Sequence, residues 1–175
     1  MQKIKPQKME IKIIAGLGNF KAELSQTYHN AGYLFIDFMC GNNAWKNKNN
    51  FMYQKKDGFI FIKTKTYMNE SGFAIKEVLN YFKVNPENML LAHDDADLFC
   101  GKYKIQFGKN SAGHKGVSSI IDFLKTKNFW RARIGIRKEE KVGAKFFVLE
   151  KMKTEDLEKL QSVFKQIKNE ILKSK

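Results

Sequence analysis

The chain has 175 residues, 43% of them apolar and 15 of them Phe, which suits one substantial core and no more. No apolar run approaches the roughly 20 residues of a membrane-spanning helix, and the polar start Met1–Lys8 has no apolar signal-peptide stretch, so a cytoplasmic protein with no membrane partner is expected. Lys and Arg outnumber Asp and Glu by 32 to 18, a formal charge of +14 that would attract a polyanion such as RNA or an acidic membrane surface; a general bias toward Lys and Asn is the alternative source of much of that charge.

Residues 1–8 read as a basic tail, or as the result of a misassigned start ahead of Met9, and 9–175 as one domain. Glu10 to Gly16 reads as an opening strand that ends in the turn Gly16-Leu17-Gly18-Asn19. Ala31, Leu34, Phe35 and Phe38 have the spacing of an amphipathic helix that closes before Gly41. Phe51–Tyr53 and Phe59–Lys65 flank Asp57-Gly58 and predict a hairpin. Ile75, Val78, Leu79 and Phe82 mark a second helix, stopped by Asn85-Pro86. Met89–Ala92 is a buried strand delivering His93-Asp94-Asp95. Lys102–Phe107 alternates like a strand, and the run Gly108–Gly116 leads into a third helix marked by Val117, Ile120, Ile121 and Leu124. Arg131–Arg137 is another strand, and Thr154–Lys173 is a final helix striped by Leu157, Leu160, Phe164, Ile167 and Ile171. Strands alternating with helices predict an α/β fold, a single layered sheet flanked by helices and mixed because of the hairpin.

Cys40 and Cys100 lie sixty positions apart without metal-ligand or redox spacing, so they read as two buried thiols. The three histidines stand in polar neighbourhoods near the ends of predicted elements: Tyr28-His29-Asn30, His93-Asp94-Asp95 and Gly113-His114-Lys115-Gly116. In α/β sheets ligands gather beyond the carboxyl ends of strands, where Asn19 and Asp94 are expected. A His, an Asp and several Asn meeting there would suit hydrolysis, with imidazole taking a proton from water, carboxylate holding the imidazolium and amides binding a carbonyl oxygen. Gly16-x-Gly18 lacks the third glycine of a dinucleotide fingerprint, and its bland reading is a tight turn. Ser71 is no nucleophile elbow, since Gly-x-Ser-x-Gly is absent.

The order of these motifs from about Met9 to Lys151 is similar to that of the bacterial-type peptidyl-tRNA hydrolase family. Gly16-Leu17-Gly18-Asn19, His29-Asn30-Ala31-Gly32 and Thr66-Tyr67-Met68-Asn69-Glu70-Ser71-Gly72 resemble three of its blocks. His93-Asp94-Asp95-Ala96-Asp97-Leu98, Gly113-His114-Lys115-Gly116 and Arg131-Ala132-Arg133-Ile134-Gly135-Ile136 resemble three more, in the same order. The resemblance implies hydrolysis of the ester in peptidyl-tRNA, releasing peptide and reusable tRNA for translation, with no metal or organic cofactor. It implies His29 as base, Asp94 as the group that orients it, Asn69 as a holder of substrate backbone and ester, and Asn19 as the residue that tells an N-blocked peptidyl group from a free amine. It further implies a substrate cleft drawing on Leu24, Tyr67, Met68, Asn69, His114 and Lys115, and tRNA phosphates held by Lys104 and Arg133. A monomer is expected. The chain departs from the family at Leu24, a commoner aromatic there, at Phe20-Lys21 in place of Pro-Gly, and at Lys115 in place of an Asn that contributes to substrate and water binding. A non-catalytic RNA-binding relative of the same fold is the alternative, opposed by the joint presence of His29, Asp94, Asn19 and Asn69.

Overall fold

The computed structural model describes residues 8–41, 44–138 and 147–174. Among them a seven-stranded mixed sheet has the order β2-β3-β4-β1-β5-β7-β6. The strands are β1 (Ile13–Gly16), β2 (Lys46–Asn47), β3 (Phe51–Lys56), β4 (Phe59–Thr64), β5 (Met89–Phe99), β6 (Tyr103–Phe107) and β7 (Trp130–Arg137). The helices are α1 (Ala31–Cys40), α2 (Ser71–Phe82), α3 (Lys115–Leu124) and, here numbered α4, Thr154–Lys173. β4, β1, β5 and β7 run parallel, so their carboxyl ends share one edge of the sheet, while β3 and β6 pair antiparallel at the flanks.

Alternation along the central strands divides the core into two layers. Ile14, Leu90, Ala92, Ala132 and Ile134 face Phe35, Ile36 and Met39 of α1 and Leu160, Phe164 and Ile167 of α4. Ile13, Ala15, Met89 and Leu91 face Ile75 and Val78 of α2 and Val117 and Ile120 of α3. β1 is buried on both faces, which is why Ile-Ile-Ala reads as a continuous apolar run.

The hairpin forms as expected, with Lys56 opposite Phe59 and both turn residues, Asp57 and Gly58, at positive φ, as a two-residue type I′ turn requires. Three expectations need correction. β1 begins at Ile13 and not Glu10. α2 ends at Phe82 on a left-handed Lys83, ahead of Asn85-Pro86, which instead opens a 3-10 turn. β5 does not stop at Ala92 but runs to Phe99, because β7 continues to pair with it through His93, Asp94 and Asp95. Neither Cys40 nor Cys100 is in a disulfide; Cys40 is buried as expected, while Cys100 is only half-buried. Most of the predicted basic tail, and the choice between Met1 and Met9 as start, lies outside the described residues.

The paired glycines serve close packing and not a turn. Neither Gly16 nor Gly18 has positive φ. A Cβ on Gly16 would lie 2.5 Å from the Gly32 carbonyl oxygen, and one on Gly32 would lie 2.3 Å from that of Ala92. These clearances let the first turn of α1 lie directly on β1 and β5, which brings the residues just before α1 against the edge of β5.

Candidate active site

Those residues form a 3-10 turn, Tyr28–Asn30, that runs straight into α1. Its central residue, His29, points to Asp94 on β5: Nδ1 lies 2.9 Å from both carboxylate oxygens. The turn is tied on its other side to residues 147–152, since the His29 amide donates to the Val148 carbonyl, the Met152 amide donates to the Gln26 carbonyl, and Thr27 bridges Lys151. Tyr28 is fully buried, and its hydroxyl donates to Asp156 at the start of α4.

His114 completes the cluster from the opposite side. It caps α3, its Nδ1 accepting from the amides of Gly116 and Val117, and its Nε2 lies 2.9 Å from Asp94 Oδ1. These bonds settle the protons. A nitrogen that accepts two amide hydrogens carries none, so the His114 proton is on Nε2 and is donated to Asp94. The His29 proton on Nδ1 is donated to the same carboxylate, which leaves Nε2 as the basic nitrogen. Burial works against the charge on His29, yet the carboxylate charge and hydrogen bond of Asp94 outweigh it and hold this imidazole above its ordinary value, with Lys115 pulling the other way. Burial would raise the Asp94 carboxyl, but the two imidazoles hold it far below the usual carboxylate range. His93, the third histidine, is buried and kept neutral; its Nδ1 donates to the Asp94 carbonyl at 2.6 Å and its ring packs edge-on against His114.

The remaining expected residues fall around this centre with varying directness. Asn19 follows β1, half-buried, and its backbone is clamped by a side chain that sequence reasoning passed over. Asn30 accepts from the Asn19 amide at 2.7 Å and donates to the Asn19 carbonyl at 3.0 Å. Its adjacency to His29 was visible, but its burial was not. Met68 and exposed Asn69 sit in a second 3-10 turn, Met68–Glu70, that leads into α2 and is braced by the Ser71 hydroxyl donating to the Met68 carbonyl. Met68 packs so near α3 that a Cβ on Gly116 would lie 2.6 Å from its sulfur. Lys115 is exposed at the first position of α3, and Tyr67 is exposed ahead of Met68. Leu24 is half-buried, and its carbonyl accepts from the hydroxyl of Thr27, the residue that opens the His29 turn.

Lys104 and Arg133 stand apart from the cluster, directly opposite one another on β6 and β7. Lys104 is exposed. Arg133 is already engaged, its Nε donating to Asp95 and its Nη1 to Gln106 Oε1 at 3.3 Å. Neighbouring Arg131 is buried, donates to the Asn110 carbonyl at 2.7 Å, and is lowered by that burial and by Arg133 to a pKa of about 10.

The same three groups, His29, Asp94 and His114, bring potential metal-ligand atoms within 4.8 Å of one another. The nitrogens that would ligate are those that carry protons to Asp94, and the His114 proton is locked there by the cap of α3. The donor set therefore fits a hydrogen-bonded relay better than a cation site, whose imidazole nitrogens must be unprotonated.

Comparison with known proteins follows the same lines. The family model described as peptidyl-tRNA hydrolase matches residues 13–174. The chain belongs to the peptidyl-tRNA hydrolase family. A peptidyl-tRNA hydrolase of Lactobacillus gasseri is 38% identical over 175 residues, covering 94% of this chain and 95% of that protein. One from Mesoplasma florum is 37% identical over 168 residues, covering 91% and 90%. Among solved structures, the crystal structure of peptidyl-tRNA hydrolase from Acinetobacter baumannii matches with a TM-score of 0.81 at 27% identity, covering 95% of this chain and 89% of that one. The mixed sheet flanked by helices is the fold of this family.

Proposed function

We propose that this peptidyl-tRNA hydrolase family member cleaves the ester between peptide and tRNA by His29-activated water. The observation that carries the mechanism is the doubly donated Asp94, which fixes the His29 proton on Nδ1 and leaves Nε2 open in a side chain still 15% exposed to solvent. Water held at Nε2 gives up a proton as its oxygen bonds to the ester carbonyl carbon. The imidazolium is stabilised by Asp94 and returns the proton to the leaving ribose oxygen as the carbon–oxygen bond breaks. In this reading Asn69, exposed beside Met68, holds the substrate backbone and the reacting carbonyl. Asn19, its main chain clamped by Asn30, offers a side-chain amide to the blocked amino group. Lys104 and Arg133 supply positive charge toward tRNA phosphate, Arg133 as a guanidinium oriented by Asp95. The chemistry needs no metal, and a monomer working in the cytoplasm completes the reading; no helix among the described residues is long and apolar enough to cross a membrane.

The test is release of N-acetylated amino acid from tRNA by purified protein, with and without chelator. His29→Ala should lower kcat by about 10³-fold or more, as loss of a general base does, while tRNA affinity stays within about twofold. Turnover within tenfold of wild type would remove His29 as the base, and loss of turnover on chelation would replace the metal-free mechanism.

A further inference from the structure

Two cation–aromatic pairs join the turn after β1 to the turn after β4. The Lys21 ammonium lies 5.7 Å from the centre of the Tyr67 ring, and the Lys65 ammonium lies 5.8 Å from that of Phe20. Phe20 and Tyr67 are 49% and 59% exposed, so two large rings stand in water where nothing in the core requires them. Lys65 is further fixed by donating to the Lys48 carbonyl at 3.0 Å. Among the described residues no carboxylate lies within ion-pairing distance of either ammonium. The patch is continuous with the site, since Phe20 and Lys21 follow Asn19 directly and the segment from Lys65 to Tyr67 leads straight into Met68 and Asn69. Phe20 and Lys21 are also the residues that replace the family's Pro-Gly.

Strand order gives this patch a direction. Across the sheet, in strand order, lie Tyr67 past the end of β4, Asn19 past the end of β1, Asp94 within β5, Arg133 within β7 and Lys104 within β6. With phosphates on the β7 and β6 side, the acyl chain leaves the ester over β1 and β4. We infer that Lys21 and Lys65, held over Tyr67 and Phe20, bind the peptide arm and select peptidyl groups with acidic side chains near the ester over basic ones. This rests on the reading that Lys104 and Arg133 face tRNA. The rings receive the hydrocarbon part of a side chain while the ammonium meets its carboxylate. At about 6 Å in a water-rich cleft one ammonium is worth on the order of threefold for a carboxylate, and it disfavours another ammonium by a similar factor.

The experiment loads one tRNA body with N-acetyl-Asp, N-acetyl-Ala or N-acetyl-Lys and measures kcat/KM for each. With both ammoniums in place, wild type should prefer Asp to Lys by about a hundredfold at low salt, and the preference should collapse in 1 M salt. Lys21→Ala should lower the Asp-to-Lys ratio by about tenfold and Lys21→Glu by about a hundredfold. Lys165→Glu on the exposed face of α4 makes the same change in net charge and should leave the ratio alone. A ratio that Lys21→Glu does not move would overturn the inference. So would an equal loss for all three substrates together with weaker binding of uncharged tRNA, which would give the patch to RNA. The Lys104 and Arg133 reading is tested separately by its own variants, so the two can fail independently.

Discussion

Replacing Asp94 by Asn keeps size and shape and removes only charge and acceptor capacity, so it isolates what the carboxylate does. Oδ1 accepts from both His29 Nδ1 and His114 Nε2 at 2.9 Å, and Oδ2 lies 2.9 Å from His29 Nδ1 as well. An amide placed to satisfy His114 must put its oxygen at the Oδ1 position, because His114 cannot shift its proton without facing the two α3 amides with an N–H. The amide nitrogen then sits where Oδ2 was, against His29. His29 must then share the single remaining oxygen with His114 while its N–H faces the amide N–H, or accept from that N–H by moving its proton to Nε2, which removes the lone pair from the side that faces water. Losing a charge-assisted bond worth about 1.5–3 kcal/mol, together with adoption of the unproductive tautomer, predicts a fall in kcat of about 10²- to 10³-fold. The loss should be smaller than for His29→Ala, and KM should change little.

The same variant makes a second, signed statement. The base works in its neutral form, so kcat/KM rises with pH through the His29 pKa, which Asp94 holds above the ordinary imidazole value. Without the carboxylate that support disappears, and the acidic limb of the profile should move to lower pH even as its plateau falls. Hydrolysis of N-acetyl-aminoacyl-tRNA by wild type and Asp94→Asn across the pH range of imidazole titration measures both. A variant within threefold of wild type, or an acidic limb that stays or moves upward, would refute the assignment of Asp94 as the group that sets His29.

Lys115 acts on His29 in the opposite sense to Asp94, so Lys115→Asn should move the acidic limb to higher pH, read from the same profile. Asn30→Ala leaves the Asn19 amide and carbonyl without their clamp and should cost about 2 kcal/mol in urea unfolding, with a larger loss in discrimination between blocked and free aminoacyl-tRNA than in kcat. Lys104→Ala combined with Arg133→Ala should raise KM for whole peptidyl-tRNA more than for a short esterified fragment and flatten the log–log salt slope by roughly 0.7–0.9 per contact. The control pair Lys159→Ala and Lys168→Ala should do neither.

Much of the scaffold was legible because its helices carry single apolar stripes and its central strands are apolar runs. The limits of α4 at Thr154 and Lys173 follow from that stripe, and the Asp57-Gly58 hairpin from turn chemistry alone. The length of β5 was not legible, since Asp94, Asp95 and Asp97 argue locally against a strand and only pairing with β7 overrides them. The likeness of His29 and Asn69 was hidden for a similar reason. Both are central residues of 3-10 turns that run into helices, and nothing in their local sequence sets those turns apart from loop. The motifs named His29, Asp94 and His114, but the direction of their protons depends on the cap of α3, where two backbone amides decide a tautomer. Asn30 escaped notice because it acts on backbone, and composition says nothing about which main-chain groups need a partner.

The seat of His29 is finished by residues made more than a hundred positions later. The turn that carries it is held by the carbonyls of Val148 and Glu150, and Tyr28 reaches Asp156, 128 residues further along the chain. During its own synthesis this polypeptide is itself a peptide esterified to tRNA, the very bond it exists to cut. Because translation delivers this bracing segment well after the turn it holds, a chain halted before Val148 has its base but not the contacts that seat it.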